Sequence, residues 1–277
     1  MFKTELQKMS QMAVKKIQMM ETSPGAYLVL SAFAGIYVAF GIALILFLGA
    51  PLAAAGSPVT KLVMSASFGI ALTLVIFAGS ELFTGNNMFG VIGALSGQAP
   101  WSGVLRLWLW CYAGNLLGSL FLAWLIAQSG LFSVTPQLEF IQKVTAAKMN
   151  APLWPLFVRG ILANWLVCLA VWSAARTASE SAKIALIYMC LMGFIAPGFE
   201  HCVANMSLLA MGLFQPHPDT ISWYGYVRNL IPATLGNMVG GGIFVGGLYW
   251  LVSPVRAVTS AENMVASVTA EAAAASV

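Results

Sequence analysis

The sequence predicts an all-α integral membrane protein of six transmembrane helices, arranged as two inverted three-helix repeats with the second and fifth helices broken. Three observations predict it: an apolar chain with few charges, two apolar stretches of the wrong length for whole spans, and paired motifs that recur at a nearly constant offset. Of 277 residues, 60% are hydrophobic and 8% charged; a soluble domain carries roughly 25% charged residues. Apolar stretches run over about 25–50, 62–96, 104–132, 153–175, 184–214 and 229–252. About 20 residues cross the hydrocarbon core as a helix, so the first, third, fourth and sixth stretches fit one span each. The second and fifth are too long for one span and too short for two, and polar residues and glycines interrupt both.

The chain divides into an N-terminal segment, 1–24, a six-span channel domain, 25–252, and a tail, 253–277. No cleavable signal peptide is expected, because Lys15 and Lys16 lie too late and no short apolar region with a cleavage site follows the start. In the first segment Phe2, Leu6, Met9, Ala13, Ile17 and Met20 recur at helical spacing among lysines. This is an amphipathic helix lying on the membrane surface or packing on a neighbouring subunit. Six spans place both termini on one side. With the termini inside, eight Lys and Arg fall on the cytoplasmic side against five outside, which favours cytoplasmic termini. The net charge of +4 expresses this bias and implies no nucleic-acid partner. Cys111, Cys168, Cys190 and Cys202 all lie in apolar stretches without CxxC spacing, so neither disulfides nor a metal site is expected. The tail is rich in alanine and serine.

The repeat rests on two pairs of motifs. GSELFTGN begins at Gly79 and GFEHCVAN at Gly198, 119 positions later; both read G-x-E-x4-N. GNLLGSLF begins at Gly114 and GNMVGGGIF at Gly236, an offset of 122. Three spans per repeat is an odd number, so the second copy enters the membrane from the opposite side. Transport proteins built this way place their path where the broken helices meet, and unwound backbone at membrane depth survives only inside protein or along a cavity.

The two breaks concentrate the polar residues. His201 is the only histidine inside the membrane, and intramembrane ionisable groups are costly and usually functional. Glu81 and Glu200 are equivalent across the repeat and read first as structural, accepting hydrogen bonds from backbone N–H groups freed by the breaks; the alternative is a proton relay. Asn86 and Asn205 match and can cap the half-helices that resume. Asn164, within the fourth span, either touches substrate or bridges helices. Leu82, Phe83 and Thr84 occupy the first break, where apolar side chains form a dewetted constriction or simply pack.

GSELFTGN, KMNAPLWPLFVRGILANWLVCLAVW and GFEHCVANM together resemble the formate/nitrite transporter family, over about residues 25–252 and more in the manner of its nitrite branch. The resemblance implies a homopentamer in the bacterial inner membrane, with an aquaporin-like subunit fold and one pore per subunit. It implies His201 at the pore centre with Thr84 as its partner, and a constriction from Leu72, Leu82 and Phe83 nearer the cytoplasm. Phe68, Val167 and Phe194 match other pore-lining positions. Lys148, Asn164 and Asn205 match residues that draw in and orient the anion, and Glu200 matches the carboxylate beside the histidine. The expected function is passage of small monovalent anions, nitrite first, then formate or hydrosulfide, with proton handling by His201 and no cofactor or enzymatic activity. The other classes weighed are an aquaporin-like neutral-solute channel, which lacks an Asn-Pro-Ala signature here, and a membrane enzyme or metal site around His201 and Cys202, which lacks further ligands.

Overall fold

The computed structural model describes residues 2–252; the tail expected at 253–277 lies outside the described residues. Among the described residues the fold is all helical. In chain order the helices are α1 (Lys3–Thr22), α2 (Pro24–Ala54), α3 (Thr60–Ser67), α4 (Gly69–Leu74), α5 (Phe83–Leu95), α6 (Trp101–Gln128), α7 (Gln137–Met149), α8 (Leu153–Ala175), α9 (Glu180–Ile195), α10 (Cys202–Leu213), α11 (Trp223–Met238) and α12 (Leu248–Val252). A π-helical turn, Val75–Gly79, extends α4, and a longer π segment, Val239–Gly247, joins α11 to α12.

Among the described residues, five helical runs are long and apolar enough to cross a membrane: Pro24–Ala54, Thr60–Gly79, Trp101–Gln128, Leu153–Ala175 and Trp223–Val252. The fifth apolar stretch of the sequence is not a sixth such run. It divides into α9 and α10, of 16 and 12 residues, because the chain unwinds around Gly198. The second stretch divides similarly, after Gly79. Both glycines sit at positive φ, 79° and 83°, a region L side chains avoid and glycine enters freely. The outer surface is apolar: Phe40, Leu109, Phe121, Met189 and Ile231 are all exposed, as expected of a lipid-facing bundle.

Two close helix pairs organise the bundle, α2 with α6 and α8 with α11. In the first, a Cβ at Gly118 would run into the carbonyl of Ala32, and one at Gly114 would lie 2.9 Å from the carbonyl of Leu28. In the second, a Cβ at Gly236 would run into the carbonyl of Phe157, and one at Gly240, in the π segment that continues α11, into that of Ile161. Small residues at such crossings let backbones approach and van der Waals contact replace lipid.

Helix α1 does not end on an outer surface. Its stripe Leu6, Met9, Ala13, Ile17 and Met20 is buried within its own subunit, against α5, α6 and α2. Gly93 on α5 permits the approach; a Cβ there would stand 2.7 Å from that of Ala13. Leu6, Met9 and Ala13 pack with Met88, Phe89 and Ile92 of α5. The stripe that the sequence assigns to the membrane surface or to a neighbouring subunit packs on its own subunit, and Met12 and Val14 of the same helix stay exposed. Lys16–Glu81, at 2.6 Å, and Glu21–Arg106, at 2.6 Å, fix the helix in place.

Because carbonyls stand where the new side chains would go, Gly118→Leu and Gly240→Leu should each prevent recovery of monodisperse protein in mild detergent. Size-exclusion chromatography checks this, with Gly25→Leu, where a Cβ would meet nothing within 4 Å, as the tolerated control.

Candidate functional site

The two breaks meet. After Gly79 the chain runs extended through Ser80 and Leu82 before α5 starts; after Gly198 it reaches His201, also extended, before α10 starts. At the meeting point Thr84 Oγ1 and His201 Nε2 are 2.9 Å apart, and both residues are buried. Nδ1 of the same ring accepts the N–H of Ala204 at 3.2 Å, so His201 is itself the N-cap of α10. A nitrogen that accepts carries no proton, so the neutral ring holds its proton on Nε2 and donates it to Thr84 Oγ1.

His201 opens onto a chamber of about 10 Å³ whose other lining residues are all apolar, among them Phe68, Leu72, Leu82, Val167 and Phe194. One water needs roughly 10–15 Å³, so the chamber holds about one. Phe68 and Phe194 meet edge to face, with centroids 5.5 Å apart, and Phe194 lies 5.9 Å from the imidazole. On one side lies a cavity of about 520 Å³ containing Lys16, Glu81 and Lys183 on its walls. Leu72 and Leu82 line both spaces and form the partition between them.

Phe83, expected in the constriction, turns away. It packs edge to face on Tyr112 of α6, with centroids 5.0 Å apart. Leu82 is still extended where Phe83 begins α5, and of the two only Leu82 is among the chamber's lining residues.

Each carboxylate at a break pairs with a lysine. Glu200 accepts from Lys148 at 2.7 Å and from Asn205 at 2.6 Å, and Asn205 also donates to Asn229 at 2.8 Å. Glu81 accepts from Lys16 at 2.6 Å, from Tyr27 at 3.2 Å and from Asn86 at 3.1 Å. The carboxylates therefore bind side chains, where the sequence suggests freed backbone N–H groups. Asn86 and Asn205 serve them from inside α5 and α10 and cap neither helix. The backbone is satisfied otherwise. The N–H of Glu81 reaches the carbonyl of Leu30, and that of Glu200 the carbonyl of Arg159, each at 3.2 Å. The N–H groups of Phe83 and Cys202 go to Asn115 and Asn237 at 2.9 and 2.8 Å.

Asn164 is fully buried. Its amide donates to the carbonyls of Asn237, at 2.7 Å, and Thr84, at 3.1 Å. Of the two roles the sequence leaves open, this geometry is that of a bridge from α8 to α5 and α11. Lys16, Tyr27, Asn115, Asn229 and Asn237 join the site without standing out in the sequence as site residues. Asn115 and Asn237 do carry a signal, since both follow the glycine of the GN motifs 122 positions apart, but the glycines of those motifs speak louder. Lys16 carries none, because α1 has no counterpart in the second half of the sequence.

An apolar bundle, two unwound segments meeting at its centre and a single imidazole in an otherwise apolar chamber define a multi-pass membrane transport protein. The chain belongs to the formate/nitrite transporter family, whose model, described as "Formate/nitrite transporter", matches residues 3–251. It is 43% identical over 258 residues to "Nitrite transporter NirC" of Salmonella typhimurium, covering 92% of this chain and 93% of that one. Among solved structures it resembles "FNT family ion channel", with a TM-score of 0.87 and 42% identity over 91% of this chain and 100% of the other. It also resembles "Pentameric formate channel with formate bound", with a TM-score of 0.72 and 30% identity over 82% of this chain and 96% of the other.

Capping by the ring has a consequence for stability. Asparagine is a good N-cap and alanine a poor one, a difference of about 0.5–2 kcal/mol. His201→Ala should therefore lower the melting temperature of the detergent-solubilised protein more than His201→Asn does, as read by intrinsic fluorescence. Equal losses would contradict the cap.

Proposed function

We propose that this protein is a channel for small monovalent anions, with nitrite as its principal substrate, assembled as a homopentamer in the bacterial inner membrane. The observation that carries the reading is the chamber at the break: His201 is the one polar side chain among its lining residues. The names of the relatives point to nitrite and, more distantly, formate, and the pentamer rests on the similarity to a solved formate channel described as pentameric. We read α9 and α10 as one broken span, which gives six, and the two halves as inverted copies around the breaks in an aquaporin-like subunit. The excess of Lys and Arg on the terminal side supports cytoplasmic termini.

The energetics favour a proton step. An isolated unit charge moved into a medium of low dielectric costs of order 20 kcal/mol in the idealised limit, and Leu72, Leu82, Phe68 and Phe194 offer no compensation. A weak-acid anion that gains a proton crosses as a neutral molecule. Lys16 and Lys148 stand beside the breaks paired with Glu81 and Glu200, so each draws an anion only by parting from its carboxylate. Asn205 holds the carboxylate partner of Lys148, and Asn164 holds the first turn of α5, which bears Thr84; both act on the anion through these neighbours.

His201 can supply the proton only in a fixed order. Its neutral ring has one proton, on Nε2, and loss of that proton alone would leave an imidazolate. Nδ1 must first take a proton from water, for which the ring lets go of the Ala204 N–H. Nε2–H is then given to a substrate oxygen, forming the O–H bond of the neutral acid. The ring is left neutral with its proton on Nδ1 and resets by giving that proton to water while Nε2 takes one from water. Movement of Leu82 and Phe194 must accompany passage, since the chamber has room for about one water.

Proteoliposomes containing the purified protein should pass nitrite, and formate more weakly, with uptake that depends on pH, and should exclude glycerol. His201→Asn should assemble normally yet lose pH-coupled uptake. Glycerol flux equal to that of nitrite, or a wild-type pH profile in His201→Asn, would overturn the proposal. Native mass spectrometry of the same preparation should give a pentamer; a monomer as the main species would contradict the assembly.

A further inference from the structure

Nothing in the proposed proton path uses the asparagines of the GN motifs. Asn115 on α6 and Asn237 on α11 are both fully buried, where an unpaired amide is costly. Neither is unpaired. Asn115 Oδ1 accepts the N–H of Phe83 at 2.9 Å, and Nδ2 donates to the carbonyls of Ser31, at 2.7 Å, and Glu81, at 2.8 Å. Asn237 Oδ1 accepts the N–H of Cys202 at 2.8 Å, and Nδ2 donates to the carbonyls of Gly160, at 2.7 Å, and Glu200, at 2.8 Å. Each side chain uses its acceptor and both donors. Each ties its own helix to the partner helix, α2 or α8, and grips a break on both sides of one residue.

The gripped residues are Leu82, between Glu81 and Phe83, and His201, between Glu200 and Cys202. Both line the chamber. We propose that Asn115 and Asn237 are positioning residues for conduction: Asn115 aims the Leu82 partition, and Asn237 aims the His201 imidazole, by clamping the peptide groups on either side. The inference rests on the chamber being the anion path.

The partner geometry explains why a side chain does this. Around an extended residue inside an apolar bundle, the following N–H and the preceding C=O have no helical partner. A carboxamide is the smallest side-chain group that both accepts and donates twice. Gly160, on the far side of the second clamp, lets α11 come close enough; a Cβ there would stand 2.8 Å from the carbonyl of Ala233. Beyond the clamp, the titratable groups near the ring are Glu200, paired with Lys148, Cys202, and Cys168 of α8, whose thiol meets the carbonyl of Thr84 at 3.4 Å. The chamber walls facing the ring from α2, α4, α8 and α9 carry none.

The two clamps should fail differently. Nitrite flux per assembled protein is measured in proteoliposomes at two pH values for Asn237→Leu, Asn237→Asp, Asn115→Leu and Asn115→Asp. The Asn237 variants should lose roughly tenfold or more in flux, about 1.4 kcal/mol, and their pH dependence should flatten. Aspartate should retain more flux than leucine, because it keeps the acceptor for the Cys202 N–H. The Asn115 variants should change flux and the ratio of nitrite to formate while keeping the wild-type pH profile. An assembled Asn237→Leu with wild-type flux and pH profile overturns the proposal, as does an identical change of pH profile from both clamps. If a variant does not assemble, hydrogen exchange of the wild-type protein in bilayers decides. Phe83 and Cys202 amides should exchange as slowly as the cores of α6 and α11, and rapid exchange at either overturns its clamp. A wild type without nitrite flux would overturn the proposed function instead, and the exchange measurement would still decide the clamps.

Discussion

Peptide groups that leave a helix inside a bilayer must find partners within the protein, and two such places set the terms for this fold. An unsatisfied backbone group in an apolar medium costs several kcal/mol. The protein meets that cost with groups drawn from neighbouring helices. Carbonyls of Leu30 and Arg159 take the N–H groups of Glu81 and Glu200, Asn115 and Asn237 take those of Phe83 and Cys202, and the His201 ring takes that of Ala204. These contacts require α2 against α6 and α8 against α11 at glycine-mediated distance. The helix packing and the polar interior are therefore one arrangement.

Charge follows the same plan. Glu81 and Glu200 lie beside the breaks, and each has a lysine within 2.7 Å. Removing one partner of a buried pair costs about 3–5 kcal/mol, because the other charge is stranded. At the first break the lysine comes from α1, so the N-terminal helix is bound to the same site whose floor it covers. Leu72 and Leu82 then separate this charged side from the imidazole. In the proposed path, an anion arriving on this side meets that apolar partition before it meets the His201 ring.

Much of this is legible in the sequence, and the rest is hidden for physical reasons. Gly79 and Gly198 announce the breaks, because polar residues cluster beside a glycine in an apolar run where the helix unwinds. His201 stands out as the one histidine at membrane depth. The apolar stripe of α1 shows that something covers it, but not what, since lipid, a neighbour and α5 are equally apolar. The glutamates, expected to hold backbone N–H groups, hold side chains instead, because a sequence does not say which of several nearby donors reaches a carboxylate. Phe83 does not join Leu82 in the constriction; adjacent residues at a helix start diverge, and only the start of α5 fixes which faces inward. The fifth stretch reads as a single broken span, whereas the length of each piece depends on where the chain unwinds around Gly198.

The proposed proton transfer turns on one atomic detail: the resting His201 ring accepts at Nδ1 and donates at Nε2, so that in this proposal the transfer and the cap of α10 are linked. Solid-state NMR of 15N-histidine-labelled protein in bilayers reads this directly. The chain has two histidines, and a His217→Gln variant isolates the signal of His201. At neutral pH without substrate, the spectrum should show a bonded proton on Nε2 and none on Nδ1. A proton on Nδ1 in the resting protein would contradict the link between proton transfer and the cap.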